Sequence, residues 1–69
     1  MIKIFRTNVQ TEYQVVEITN LLLQEFHNFK ISIDLEDWEK ILRVQGNGFK
    51  SEDIERIVSA YGYRCEELI

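Results

Sequence analysis

The chain has no proline, one cysteine and one histidine, and its longest uninterrupted apolar run is Leu21-Leu22-Leu23. Each scarcity excludes something. The lone Cys65 excludes an intrachain disulfide. The apolar run falls far short of the roughly 20 residues that span a bilayer, and the stretch from Met1 to Val9 has no apolar segment of signal-peptide kind. A cytoplasmic protein with no membrane attachment is the expectation. With no proline, internal repeat or low-complexity tract there is no candidate linker, so residues 1–69 are expected to form one domain.

Concentrated positive charge is also missing. Twelve acidic residues stand against eight basic ones, a formal net charge of −4, and the bases Lys3, Arg6, Lys30, Lys40, Arg43, Lys50, Arg56 and Arg64 are scattered. Nucleic-acid binding needs clustered cations that displace counterions, so it is not expected here. A chain of this length buries only about 60% of the surface its unfolded form exposes, which leaves little for a deep catalytic cleft. No enzyme activity and no cofactor are expected. What the chain does have is an apolar fraction of 45%, with four Phe, three Tyr and one Trp, a composition that folds rather than staying disordered.

The apolar residues are patterned. Ile2 and Ile4 flank Lys3 at strand spacing, which predicts a strand over Ile2 to Arg6. Thr11-Glu12-Tyr13-Gln14 has the form of a capping box and should open a helix. Val15, Ile18, Leu22, Phe26 and Phe29 then recur at steps of three and four, with Val16 and Leu23 widening the stripe and His27-Asn28 closing the helix. Phe29, Ile31, Ile33 and Leu35 alternate with polar residues as a strand does, and after a turn at Glu36–Glu39 the pair Leu42 and Val44 completes a hairpin. Gln45-Gly46-Asn47-Gly48 reads as a loop, and Ser51 with Glu52 and Asp53 as the cap and acidic first turn of a second helix. Ile54, Ile57, Val58 and Tyr61 give that helix its apolar face, Gly62 ends it, and Tyr63-Arg64-Cys65 forms a brief last strand before a charged tail. The order βαββαβ with right-handed crossovers predicts an α+β ferredoxin-like plait, a four-stranded antiparallel sheet with both helices on one face.

Several of these features together resemble the heavy-metal-associated (HMA) domain of copper chaperones and metal-pumping ATPases. They are the short first strand, the helix running to Phe29 where that family has Gly-Val, the hairpin Ile33-Asp34-Leu35 to Leu42-Arg43-Val44, and the closing Ala60-Tyr61-Gly62-Tyr63. The family's loop after the first strand reads Gly-Met-x-Cys-x-x-Cys, and its two thiolates hold a soft metal ion. Here the loop reads Thr7-Asn8-Val9-Gln10-Thr11-Glu12-Tyr13, with Gln10 and Tyr13 at the cysteine positions and Asn8 at the methionine position. An amide and a phenol do not replace thiolates for a soft ion at neutral pH. The resemblance thus implies the fold without the thiolate metal site.

Other constellations are weaker. Cys65 is the only thiol and His27 the only imidazole, two ligands where a structural zinc site uses four. Cys65 reads more simply as a small buried hydrophobe, and His27 as a surface residue near a helix C-terminus. Asp34, Glu36, Asp37 and Glu39 lack the spacing of a calcium loop and read as a solvated acidic turn. Gly46-Asn47-Gly48 lacks the Lys and Ser/Thr of a phosphate loop. Arg6-Thr7-Asn8 precedes a helix N-terminus, where an anion can bind, but no base or nucleophile stands beside it. Tyr13 and Trp38 are large side chains at places expected to be partly exposed, where aromatics anchor protein contacts. The leading expectation is a non-enzymatic interaction module that acts through a protein partner or by self-association, with Asn8, Gln10, Tyr13 and Trp38 as its surface. The alternative is a metal-binding accessory protein using Cys65 and His27, and the third is a small enzyme acting on an anionic substrate at Arg6 and Asn8.

Overall fold

The computed structural model describes residues 1–68. Its elements run β1 (Ile2–Thr7), α1 (Glu12–Glu25), β2 (Lys30–Asp34), β3 (Ile41–Gln45), α2 (Ser51–Ala60) and β4 (Cys65–Leu68). The strands form one antiparallel sheet in the order β2-β3-β1-β4, which is the ferredoxin-like plait. Phe5 and Thr7 of β1, Leu42 and Val44 of β3, Ile31 and Ile33 of β2 and Cys65 of β4 share the helix-covered side by register. Ile18 and Leu22 from α1 and Ile54 and Val58 from α2 close over them, with Val9 and Phe49 filling the ends. Strand alternation and the helical three-and-four spacing thus meet in one core, while the second sheet face stays open.

The start of α1 follows its sequence signature. Thr11 Oγ1 accepts from the Gln14 N–H at 3.1 Å, and Gln14 Oε1 accepts from the Thr11 N–H at 3.3 Å. The end differs from expectation. The helix stops at Glu25 with Phe26 as its C-cap, so Phe26, His27 and Phe29 lie beyond it. The reason is aromatic packing: the Phe29 N–H donates to the Phe26 carbonyl at 3.2 Å, and their rings stack with centroids 4.6 Å apart. A compact turn reproduces the three-residue spacing that a further helical turn would give. Val16, expected to widen the apolar stripe, is exposed.

Four further boundaries shift. β1 runs one residue further, to Thr7, and β2 spans Lys30–Asp34 rather than Phe29 to Leu35. Ser51 is the first helical residue of α2 and is buried, not its cap; the Lys50 N–H before it donates to the Asp53 carboxylate at 3.1 Å. The last strand is Cys65–Leu68, so the supposed charged tail is β4 itself. Bases on β1 accommodate its acids: Arg6 stands opposite Glu66, and Lys3 Nζ reaches Glu67 Oε2 at 3.5 Å. The Glu67 N–H also donates to the Glu55 carboxylate of α2 at 2.9 Å. The Ser51 hydroxyl has no partner at full hydrogen-bonding geometry, yet it lies close enough to Glu67 to lead Lys3 in holding that carboxyl below its usual range, against an opposing effect of burial.

At the far end of the sheet Phe29 packs on Phe26 and, with centroids 5.1 Å apart, on Phe49. Its ring lies against Gly46, where an added Cβ would clash with the ring carbons. The expected outcome for Gly46→Ala is a loss of about 1–3 kcal/mol from overpacking, read as a lower urea midpoint at unchanged slope by circular dichroism.

Candidate functional site

Register places three connections at one end of the sheet. Thr7 ends β1, Cys65 begins β4 beside it, and Ile41 begins β3 opposite Asp34 at the end of β2. The loop from β1 into α1, the turn between β2 and β3 and the connection from α2 to β4 therefore gather there. Side-chain bonds tie them together. Thr7 is the hub: its hydroxyl donates to the Lys40 carbonyl at 2.6 Å and accepts from the Val9 N–H at 3.3 Å, while its own N–H donates to the Glu39 carbonyl at 3.1 Å. Asn8 Oδ1 accepts from the Arg64 N–H at 2.8 Å, and Arg6 pairs with Glu39 at 3.0 Å. In the turn, Lys40 holds a positive φ of 50° and its ammonium donates to the Leu35 carbonyl at 2.7 Å.

These bonds reassign several residues. Arg6 and Asn8, considered above as an anion cradle, are each engaged by another part of the chain, and the capping box occupies the Gln14 N–H at the start of α1. Thr7 carries no functional signal in the sequence, although a hydroxyl ending an apolar strand is the kind of group that needs a buried partner. Gln10 is exposed, with its N–H donated to Gln14 Oε1 at 2.8 Å. The loop side chains nearest to ligand character, the Gln10 amide and the Tyr13 phenol, do not fit a soft cation that selects thiolate.

The aromatic residues behave differently. Tyr13 is 77% exposed and Trp38 85% exposed, and Tyr61, expected on the buried face of α2, caps that helix and is 55% exposed. Tyr61 leaves the core because α2 ends at Ala60, so the helical spacing that aimed it inward no longer applies. Tyr13 and Tyr61 line a groove of about 290 Å³ on the helix layer with Val16, Asn20 and Leu21. It adjoins a second hollow of about 190 Å³ between α1 and α2, lined by Gln24, Arg56 and Ile57 among others. Beside the groove the Tyr63 hydroxyl donates to Glu17 at 2.7 Å. That bond is the main reason the phenol's pKa is raised; partial burial and the charges of Glu17 and Tyr13 add to it.

Cys65 and His27 are not brought together. Cys65 lies at the Thr7 end of the sheet, whereas His27 is exposed in the turn before Lys30, which pairs with Gln45 at the opposite end. Burial, then the charges of Glu55 and Glu66, push the Cys65 thiol up to about 12. Among the described residues, no group of three or more His, Cys, Asp or Glu side chains is placed to hold a metal ion. No described helix is long and apolar enough to cross a membrane. Compared with protein-family models, curated proteins and solved structures, the chain has no match.

The Cys65 shift has a sign. A folded-state pKa raised from 9.0 to about 12 favours folding fully below pH 9.0 and is lost as pH rises through that interval. Stability to urea is expected to decline from pH 9 to pH 11 in the wild type and to decline less steeply in Cys65→Ala. The difference in slope is the readout, since it is independent of the packing lost on truncation.

Proposed function

We propose that the chain is a small non-enzymatic interaction module, HMA-like in plan, in which the loop end of the sheet carries an aromatic and polar contact surface instead of a thiolate metal site. The observation that carries this reading is the exposure of Tyr13 in the first turn of α1, Trp38 on the β2–β3 turn and Tyr61 at the C-cap of α2, all at that end. Large aromatic side chains held in water gain nothing from the core, and on a rigid frame they are the residue type that most often anchors a protein contact. The ties made by Thr7, Asn8 and Arg6 supply that rigidity. A protein partner or a second copy of the chain is the occupant. The proposal places the module in the cytoplasm, where a lone buried thiol persists unpaired.

The test is capture from the source cell with a photo-crosslinker attached beside Trp38, followed by affinity measurement on whatever is caught. Trp38→Ala and Tyr13→Ala are expected to weaken binding about thirtyfold, the effect of losing an anchoring aromatic. Their folding stability should stay within about 0.5 kcal/mol of wild type. Unchanged affinity in both variants, or no captured protein and no self-association, counts against the proposal.

A further inference from the structure

The two edges of the sheet differ in what they offer another strand. Among the described residues β2 and β4 each pair on one side only. An unpaired edge is a template for a further strand unless charge, proline or a bulge blocks it. β4 is blocked against itself: antiparallel pairing about the centre of Cys65-Glu66-Glu67-Leu68 sets Glu66 of one copy against Glu67 of the other.

β2 has the opposite property. It reads Lys30-Ile31-Ser32-Ile33-Asp34, and it is self-complementary about Ser32. Laid antiparallel on a second copy, Ser32 faces Ser32, each Ile31 faces Ile33, and each Lys30 faces Asp34. One step further out, Phe29 faces Leu35. Lys30, Ser32 and Asp34 are exposed on the open side of the sheet. Phe29, Ile31, Ile33 and Leu35 are only partly buried against the core, so a second copy would cover apolar surface that the monomer leaves wet. No proline or positive φ interrupts the strand.

We propose that β2 pairs antiparallel with β2 of a second copy about a two-fold axis at Ser32, joining two four-stranded sheets into one sheet of eight strands. Opposite charges meet at both ends of the shared ribbon, and the contact is closed, because each copy spends its one permissive edge. This rests on the interaction-module reading and names the second copy as the occupant of a surface distinct from the aromatic end.

Sedimentation equilibrium of the full chain is expected to show a reversible monomer–dimer equilibrium; a strict monomer up to about 1 mM overturns the proposal. Lys30→Asp and Asp34→Lys each set like charges face to face at both ends of the ribbon. Each is expected to raise the dimer dissociation constant at least about tenfold, and an equimolar mixture of the two variants should restore association. Asp34→Lys also removes the bond from the Glu36 N–H to Asp34 Oδ1 at 3.0 Å, so Ser32→Cys serves as an independent arm. Directly facing residues of antiparallel strands have Cα atoms about 4.5–5.5 Å apart, within disulfide reach. Oxidised Ser32→Cys should therefore crosslink readily where Lys30→Cys does not, and equal crosslinking of the two refutes the register. If Trp38→Ala abolishes the dimer while the β2 variants keep it, β2 pairing is wrong and the aromatic end is the self-association surface. If the β2 dimer forms while nothing binds the aromatic end, the earlier proposal alone fails.

Discussion

Pairing of β1 on both sides is the constraint from which the rest of the molecule follows. Residues Ile2 to Phe5 pair with Gln45 to Leu42, and Ile4 to Thr7 pair with Leu68 to Cys65, so Ile4 and Phe5 at the middle of the strand are paired on both sides. Phe5, at the middle, is fully buried and meets Leu42 across the sheet. Because both neighbours run antiparallel to β1, each helix must cross the same sheet face to return the chain to its place. One face then receives nearly all the large apolar side chains. The other keeps Ile2 and Ile4 beside Arg6, Arg43 and Glu66, a mixed surface that needs no cover.

The same pairing explains which parts of the sequence were readable. Local signals identified local structure: the Thr11–Gln14 box fixed the start of α1, and the alternation through Ile31 and Ile33 announced β2. Features that depend on distant partners leave no local signal. Glu66 and Glu67 look like a solvated tail until Arg6 and Lys3, about sixty positions earlier, are placed beside them. Phe26 and Phe29 satisfy a helical repeat, and only the Phe49 ring and the open space at Gly46 show why the chain turns there instead. Tyr13 and Trp38 stood out by size alone, whereas Tyr61 was hidden by a spacing that suited the core. The roles of Thr7 and Asn8 were illegible because their partners, Lys40 and Arg64, lie on other loops.

Charge around β4 and α2 is arranged to favour neutral pH from both directions. The lowered pKa of Glu67 contributes stability above its ordinary value of 4.5 and loses it as pH falls through the folded-state value. The raised pKa of Tyr63 acts on the other flank, its hydroxyl losing the bond to Glu17 as it ionises. Lys3 and Ser51 serve the first group and Glu17 the second, so two small polar contacts, one between α2 and β4 and one beside the helix-layer groove, add to a small apolar core.

Trp38 carries one more consequence. It is the only indole in the chain, and it stands in water in the folded state. Its emission in the native protein therefore differs little from that of the denatured chain, which makes fluorescence a poor witness to unfolding. The same circumstance makes it a sensitive witness to association at the loop end: a blue shift on mixing would mean that something has come to rest on the β2–β3 turn.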